Sequence, residues 1–180
     1  MTVSAAAPQL HHVTVVGGMP EEWAALSDEQ WVVRLTELGK VVDHVGATWL
    51  TLRPFGPSPG CEAPVGAVSR TAVVGSCRVA ADPGPDGRVR IVGAIETLRA
   101  AGAPIDEASI SARLNHPAQV DPDLVVVLGP SHLLPPSLVW ELAYGELVFI
   151  DIPWMHLGGS HLEEAVACYA RRHRRFGGVD

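Results

Sequence analysis

The segment Asp123 to Gly129, DLVVVLG, has no polar side chain between its ends, and such a run is best satisfied as a strand whose two faces are both covered. A strand of this kind belongs in a parallel sheet between helices. A second short β-branched run, HHVTVVGG at 11–18, closes on glycines and predicts another buried strand. Ser27 with Gln30 forms a capping box for a following helix, with Trp31, Leu35, Leu38 and Val42 on one face and Gly46 as its stop. ATWLTLRPF predicts the second strand, Gly56–Gly66 a Pro- and Gly-rich loop, and AVSRTAVVG and SCRVAAD the third and fourth strands. A helix is expected over about Arg88–Ala101, with Val89, Val92, Ile95 and Leu98 turned to the sheet, and another over Ile105–Asn115, stopped by Pro117. Strands alternate with helices, which predicts an α/β fold with a mainly parallel central sheet flanked by helices and joined by right-handed crossovers. Residues 1–10 read as a flexible tail and 11–180 as a single domain.

Composition narrows the function classes. With 47% apolar and 18% charged residues the chain can build a core, so extensive disorder is excluded. A net charge of -7 argues against nucleic acid as a partner, because phosphate neutralisation needs a continuous basic surface, and the dense basic run here is confined to RRHRR near the C-terminus. Three cysteines, Cys61, Cys77 and Cys168, form no CxxC pair and read as reduced, inert thiols. No secretion signal and no transmembrane segment is read in the sequence, so the expected location is cytoplasmic.

The last third, DPDLVVVLGPSHLLPPSLVWELAYGELVFIDIPWMHLGGSHLEEAVACYARRHRRFGGV, resembles the C-terminal part of the cis-prenyltransferase, or undecaprenyl diphosphate synthase, family. In that family Asp-Leu-Val/Leu-Ile is followed by Arg-Thr-Ser-Gly-Glu-x-Arg-Leu-Ser, then Trp-Gln-x-Ala-Tyr-Ala-Glu, Asp-x-x-Trp-Pro and a basic helix ending Arg-Arg-Phe-Gly-Gly. The likeness extends backward. HVTVVGGMPEEW stands in place of the first strand and catalytic loop, His-Val-Ala-Ile-Ile-Met-Asp-Gly-Asn-Gly-Arg-Trp, with His12 and Trp23 matching. TWLTLRPF resembles the second strand, Tyr-Leu-Thr-Leu-Tyr-Ala-Phe, and CRVAADPGPDGRVRIVGAIETL resembles a later strand and helix.

Set against the family's pattern, the substrate-holding side chains are lost. Gly18 stands at the essential Asp, Pro20 and Glu22 at the loop Asn and Arg, and Val127, Leu133 and Pro135 at two diphosphate-binding arginines and a serine. Apolar residues there remove every charge-assisted hydrogen bond, and Glu22 would repel a diphosphate. The stretch from Trp23 to Phe55 is too short for the phosphate-binding Arg and His between them, and Gly56–Gly66 cannot supply the two long helices that wall the family's prenyl tunnel. The fold is therefore expected to be truncated in the catalytic loop and the tunnel helices.

Trp140, Ala143, Tyr144, Glu146, Phe149, Asp151, Trp154 and the closing Arg174-Arg175-Phe176-Gly177-Gly178 are retained. This selective retention resembles the Nogo-B receptor type of subunit, a degenerate family member that extends an Arg-x-Gly motif into the active site of its catalytic partner, dehydrodolichyl diphosphate synthase. The resemblance implies an accessory subunit of a heteromeric cis-prenyltransferase, with Arg175 and Gly177 binding diphosphate across the interface. Glu146 becomes a candidate magnesium ligand, and Trp140, Tyr144, Phe149 and Trp154 become interface residues. It further implies Mg2+ held mostly by the partner, isopentenyl and allylic diphosphates met through the complex, and a peripheral approach to the membrane by way of that complex. Simpler readings stand beside these: Arg175 as a solvated helix end complementing the macrodipole, Glu146 as an exposed or interface-paired acid, and the aromatics as core. His156 and His161 lack a third metal ligand at helical spacing, and Gly129-Pro130-Ser131 reads as a turn. Two other functions remain open, a self-sufficient homodimeric short-chain transferase and a regulatory module that kept only the dimer surface.

Overall fold

The computed structural model describes residues 10–56, 68–84 and 86–176, with side chains described as far as Arg172. Six strands form one sheet: β1 (His12–Val16), β2 (Trp49–Arg53), β3 (Arg70–Val74), β4 (Cys77–Ala81), β5 (Leu124–Leu128) and β6 (Glu146–Ile150). Their spatial order is β3-β4-β2-β1-β5-β6, and every neighbouring pair is parallel except β3 and β4. Val74 pairs with Cys77, leaving Gly75 and Ser76 as a two-residue turn. That turn is too short for a crossover, so the third and fourth strands form an antiparallel hairpin at one edge. Gly75 takes the positive φ the turn needs, and Asp43 accepts hydrogen bonds at 2.7 Å from both the backbone and the hydroxyl of Ser76.

The helices are α1 (Pro20–Ala24), α2 (Asp28–His44), α3 (Gly87–Ala100), α4 (Glu107–Leu114) and α5 (Gly159–Phe176), with single 3-10 turns at Pro136–Leu138, Glu141–Ala143 and Trp154–His156. The expected capping box starts α2: Ser27 accepts from Gln30 N, and the Gln30 side chain accepts from Ser27 N. Its end is a Schellman motif, with Gly46 N donating to Asp43 O, Ala47 N to Val42 O, and Gly46 at positive φ. Asp86 and Asp106 cap α3 and α4 in the same way, each accepting from backbone amides of the first turn.

The two faces of the sheet are covered unequally. On one, α2 and α5 bury Leu35, Leu38, Val42, Leu162 and Tyr169 against Val13, Val15, Leu50, Leu52, Val79, Leu124 and Val126, forming the main core. Here α2 lies so close to the hairpin that a Cβ at Gly39 would sit 2.8 Å from Val74 and 2.9 Å from Val79. The other face carries a smaller cluster of Val16, Val125, Val127 and Leu138, with Phe55, Leu147 and Phe149 packed on it. On that side α3 packs on α4 and on the 3-10 turn Pro136–Leu138. The expected apolar stripe of α3 is corrected by this arrangement. Val89 is 70% and Val92 55% exposed while Ile95 and Leu98 are half-buried, and Gly87, Ala94 and the Arg90 side chain face inward. Arg90 turns inward because three acceptors wait there, the carbonyls of Ser137 and Leu114 and the Glu141 carboxylate.

Candidate functional site

In a parallel sheet of this kind the loops after the strand C-termini are the usual place for chemistry. β1 is followed here by Gly17 and Gly18, held to the end of β2 and the residues after it by Gly17 N donating to Arg53 O at 3.0 Å and Phe55 N donating to Gly18 O at 2.8 Å. Gly18 has φ +74°, and a Cβ built on it would lie 2.6 Å from Cγ of Trp154. The indole of Trp154 therefore fills the space into which a side chain at position 18 would project. It stacks on Trp23 with centroids 5.3 Å apart and an interplanar angle of 18°, while Trp31 meets Trp23 edge-on at 5.0 Å. The Arg34 guanidinium lies 4.3 Å from the Trp154 ring centroid and donates to the carbonyls of Trp154 and Met155. Trp23 Nε1 donates to Gly17 O, which draws the aromatic group onto the loop.

The Glu22 carboxylate does not project into open space. It accepts from Met19 N at 2.8 Å, closing the first turn of α1 as a cap. The residues around Gly18 do not fit a magnesium ion, which needs oxygen ligands and a site of its own size. No carboxylate stands at position 18, that of Glu22 is engaged with backbone, and an indole takes the volume. Among the described residues no group of three His, Cys, Asp or Glu is arranged to hold a metal.

A second cluster, not foreseen from sequence, lies at the ends of β2 and β4. The Arg53 side chain is almost wholly buried, donates to Asp82 Oδ2 and Leu114 O, and lies 3.7 Å from Glu141. Arg90 joins through Glu141 Oε1 at 2.9 Å. Burial, then repulsion from Arg90, lowers the Arg53 pKa to about 10, still far above neutrality, so the guanidinium stays charged. Arg53 Nε and Glu141 Oε2 are left without hydrogen-bond partners. The available signal is a single charged residue in each of two largely apolar segments, the Arg of TWLTLRPF and the Glu of SLVWELAYG.

The sequence-derived site residues fall into separate places. Glu146 opens β6 and pairs with Leu124 at the N-terminal end of the parallel strands, whereas Gly18 follows Val16, which pairs with Val127 near the opposite end. Glu146 meets the last turns of α5, with Arg172 Nη1 3.3 Å from its carboxylate and donating to Leu147 O at 2.7 Å. The basic end of α5 and Glu146 are thus neighbours, and both are remote from the Gly18 loop of their own chain. Arg175 lies in the final turn of α5 with its side chain outside the described residues, and Gly177 lies outside them altogether. Tyr144 is exposed, with its hydroxyl 2.8 Å from Glu107 and its ring 5.9 Å from that of Trp140, and Phe149 is half-buried. Trp154, expected at an interface, is 2% exposed and belongs to the core, because its indole is sandwiched between α1, α2 and the β1 loop. Of the other positions singled out, Val127 is buried in β5, Leu133 is exposed, and His161 Nδ1 accepts from Gly158 N beside the start of α5. Burial raises the Cys77 thiol to about 12, so it is un-ionised at neutral pH.

Residues 76–177 match the family model described as putative undecaprenyl diphosphate synthase. Isoprenyl transferase 2 of Bradyrhizobium diazoefficiens is 43% identical over 77 residues, which is 43% of this chain and 31% of that protein. An isoprenyl transferase of Chromobacterium violaceum is 39% identical over 100 residues, 55% of this chain and 39% of the relative. The matched part spans less than two fifths of either relative's length. The crystal structure of a probable undecaprenyl diphosphate synthase from Campylobacter jejuni superposes with a TM-score of 0.62 at 17% identity, covering 94% of this chain and 99% of that one, and so shares the fold. With more than half of its residues matched by the family model and its sheet superposing on a member's, this chain belongs to the undecaprenyl diphosphate synthase family of prenyltransferases.

Proposed function

We propose that this chain is a noncatalytic accessory subunit of a heteromeric cis-prenyltransferase, pairing with a full-length catalytic member and donating Arg175 and Gly177 to the diphosphate site of the pair. The observation that carries the reading is Gly18, where positive φ and the Trp154 indole 2.6 Å from a built Cβ leave no place for a metal-binding carboxylate. The tight seat of α2 on the β3–β4 hairpin favours the same reading, since at Gly39 not even a methyl group fits between helix and hairpin. The basic end of α5 emerges beside Glu146, at the strand ends opposite the Gly18 loop, so a diphosphate met by Arg175 would sit on another chain. A guanidinium is suited to that role because its planar fork binds phosphate oxygens in pairs. Magnesium and the isopentenyl and allylic diphosphates would then be held mainly by the partner. Val89, Val92, Val139, Leu142 and Tyr144 give the partner an exposed apolar surface, with Trp140 and Phe149 half-buried beside it.

Co-expression with a full-length isoprenyl transferase tests the proposal. The two chains are expected to co-elute, and Arg175→Ala should lower the rate of the pair while leaving assembly intact. Failure to co-elute with any such partner would sink the reading. The curated relatives are named isoprenyl transferases, which keeps a self-sufficient homodimer as the second reading. Turnover by the pure chain with Mg2+, isopentenyl diphosphate and an allylic diphosphate would select it.

A further inference from the structure

On the thinly covered face, the space between the β3–β4 hairpin and the helices α3 and α4 is an open cleft of roughly 710 Å3. That volume is in the range of small-molecule sites, about 300–1,000 Å3. The cleft is separate from the Gly18 loop, whose aromatic group belongs to the core on the opposite face of the sheet. Its walls are apolar where Ala80, Ala94, Leu114 and Pro117 meet, and Thr71 and Thr97 add hydroxyls. It exists because α3 presents Gly93 and Ala94 on this side instead of its valines.

The charges around the cleft run against those of the whole chain. The protein carries a net charge of -7, yet Asp82 is the one carboxylate among the described lining residues, and it is neutralised by Arg53 with Arg90 at 4.0 Å. Arg70 reaches away from the cleft to Asp28 and the Trp31 ring on the other face. Arg113 and His116, both exposed, line the mouth, and the Arg113 guanidinium has no ion pair or hydrogen bond among the described residues. A free guanidinium at the end of an apolar trough has the chemistry that complements an oxyanion with an apolar body.

We propose that the cleft between the β3–β4 hairpin and α3–α4 binds a small amphipathic anion, its phosphate or carboxylate head on Arg113 and its apolar body along Ala80, Ala94 and Pro117. This inference does not depend on the accessory-subunit reading. Titration of the full chain with octyl phosphate, followed by amide NMR, tests it. Saturable shifts are expected at 69–71, 80–82, 90–97 and 113–117, and Arg113→Ala should weaken binding by about tenfold, the scale of a lost charge-assisted contact. A side chain at Gly93 would meet nothing within 4 Å, so Gly93→Leu should fold at least as well as the parent and weaken binding by filling the trough. Octanoate distinguishes a carboxylate source from a phosphate source, and tight binding of either supports the site. No saturable shift, shifts elsewhere, undiminished binding by either variant, or equal affinity for octan-1-ol or for inorganic phosphate alone would each overturn it.

Discussion

The two faces of the one sheet are held by different physics. Toward α2 and α5 the strands present Val, Leu and Ala, and aromatic and aliphatic packing closes the space with no polar group at its centre. Toward α3 and α4 the same strands present His12, Thr14, Thr51 and Arg53 along β1 and β2, so this side is held by hydrogen bonds and ion pairs around a small apolar cluster. The difference follows from the period of two in a strand, which sends Leu50 and Leu52 one way and Thr51 and Arg53 the other. A dense apolar face tolerates little volume change, whereas a polar face fails when one partner of a network is removed.

The largest expected effect probes the first half of that contrast. Trp154→Ala empties the centre of the Trp23–Trp31–Trp154 group and should cost roughly 3–5 kcal/mol in chemical denaturation, the usual loss for a buried aromatic. If the loss were under about 1 kcal/mol, the group would not be part of a closed core. On the other face Glu141→Ala leaves Arg53 and Arg90 buried without their shared carboxylate. Removing one partner of such a network costs about 3 kcal/mol or more, although Glu141 contributes little apolar contact. A near-neutral result would mean that water reaches Arg53 and that the two faces are less distinct than their burial indicates.

Acid should act through the polar face. His12 is buried between Val120 O and the Thr51 hydroxyl, and burial lowers its pKa from 6.5 to about 4. Between those values the unfolded chain binds a proton that the folded chain refuses, so stability falls as the pH drops from 6.5 to about 4 and then levels off. The whole effect is on the order of 3 kcal/mol. Denaturation midpoints measured across that range should show the slope, and His12→Asn should remove this part of it. The smallest effect belongs to the exposed valines of α3. Val89→Ser with Val92→Ser should change the stability of the isolated chain by less than about 1 kcal/mol, yet impair co-elution with a catalytic partner if that surface is the interface.

Much of the fold was legible in the sequence because local signals and tertiary demands agreed. The Ser27–Gln30 box, the positive-φ Gly46 and the all-apolar β5 each specify their element within a few residues. The Val89 and Val92 end of the α3 stripe faces outward because a period of 3.6 finds an apolar face without saying what it faces. Arg90 won the inward position through three acceptors drawn from distant segments. The polar cluster was hidden for a similar reason: Arg53, Asp82, Arg90 and Glu141 are spread over four elements and loops, and no spacing rule joins them. The loss at Gly18 could be read by matching motifs, whereas the indole that takes its place could not.

By itself the sequence determined the order of elements from β1 to β5 apart from the short α1, the largely parallel sheet, the main core positions and the absence of a carboxylate at Gly18, since each depends on residue type and local periodicity, whereas β6 was not marked by either. Tertiary structure decided which face of α3 turns inward, that Trp154 closes the Gly18 loop, that Glu146 joins the basic end of α5 at the far end of the strands, and that a cleft opens under Arg113. Those outcomes depend on contacts between residues far apart in the chain, where packing volume and the pairing of buried charge outweigh any local preference.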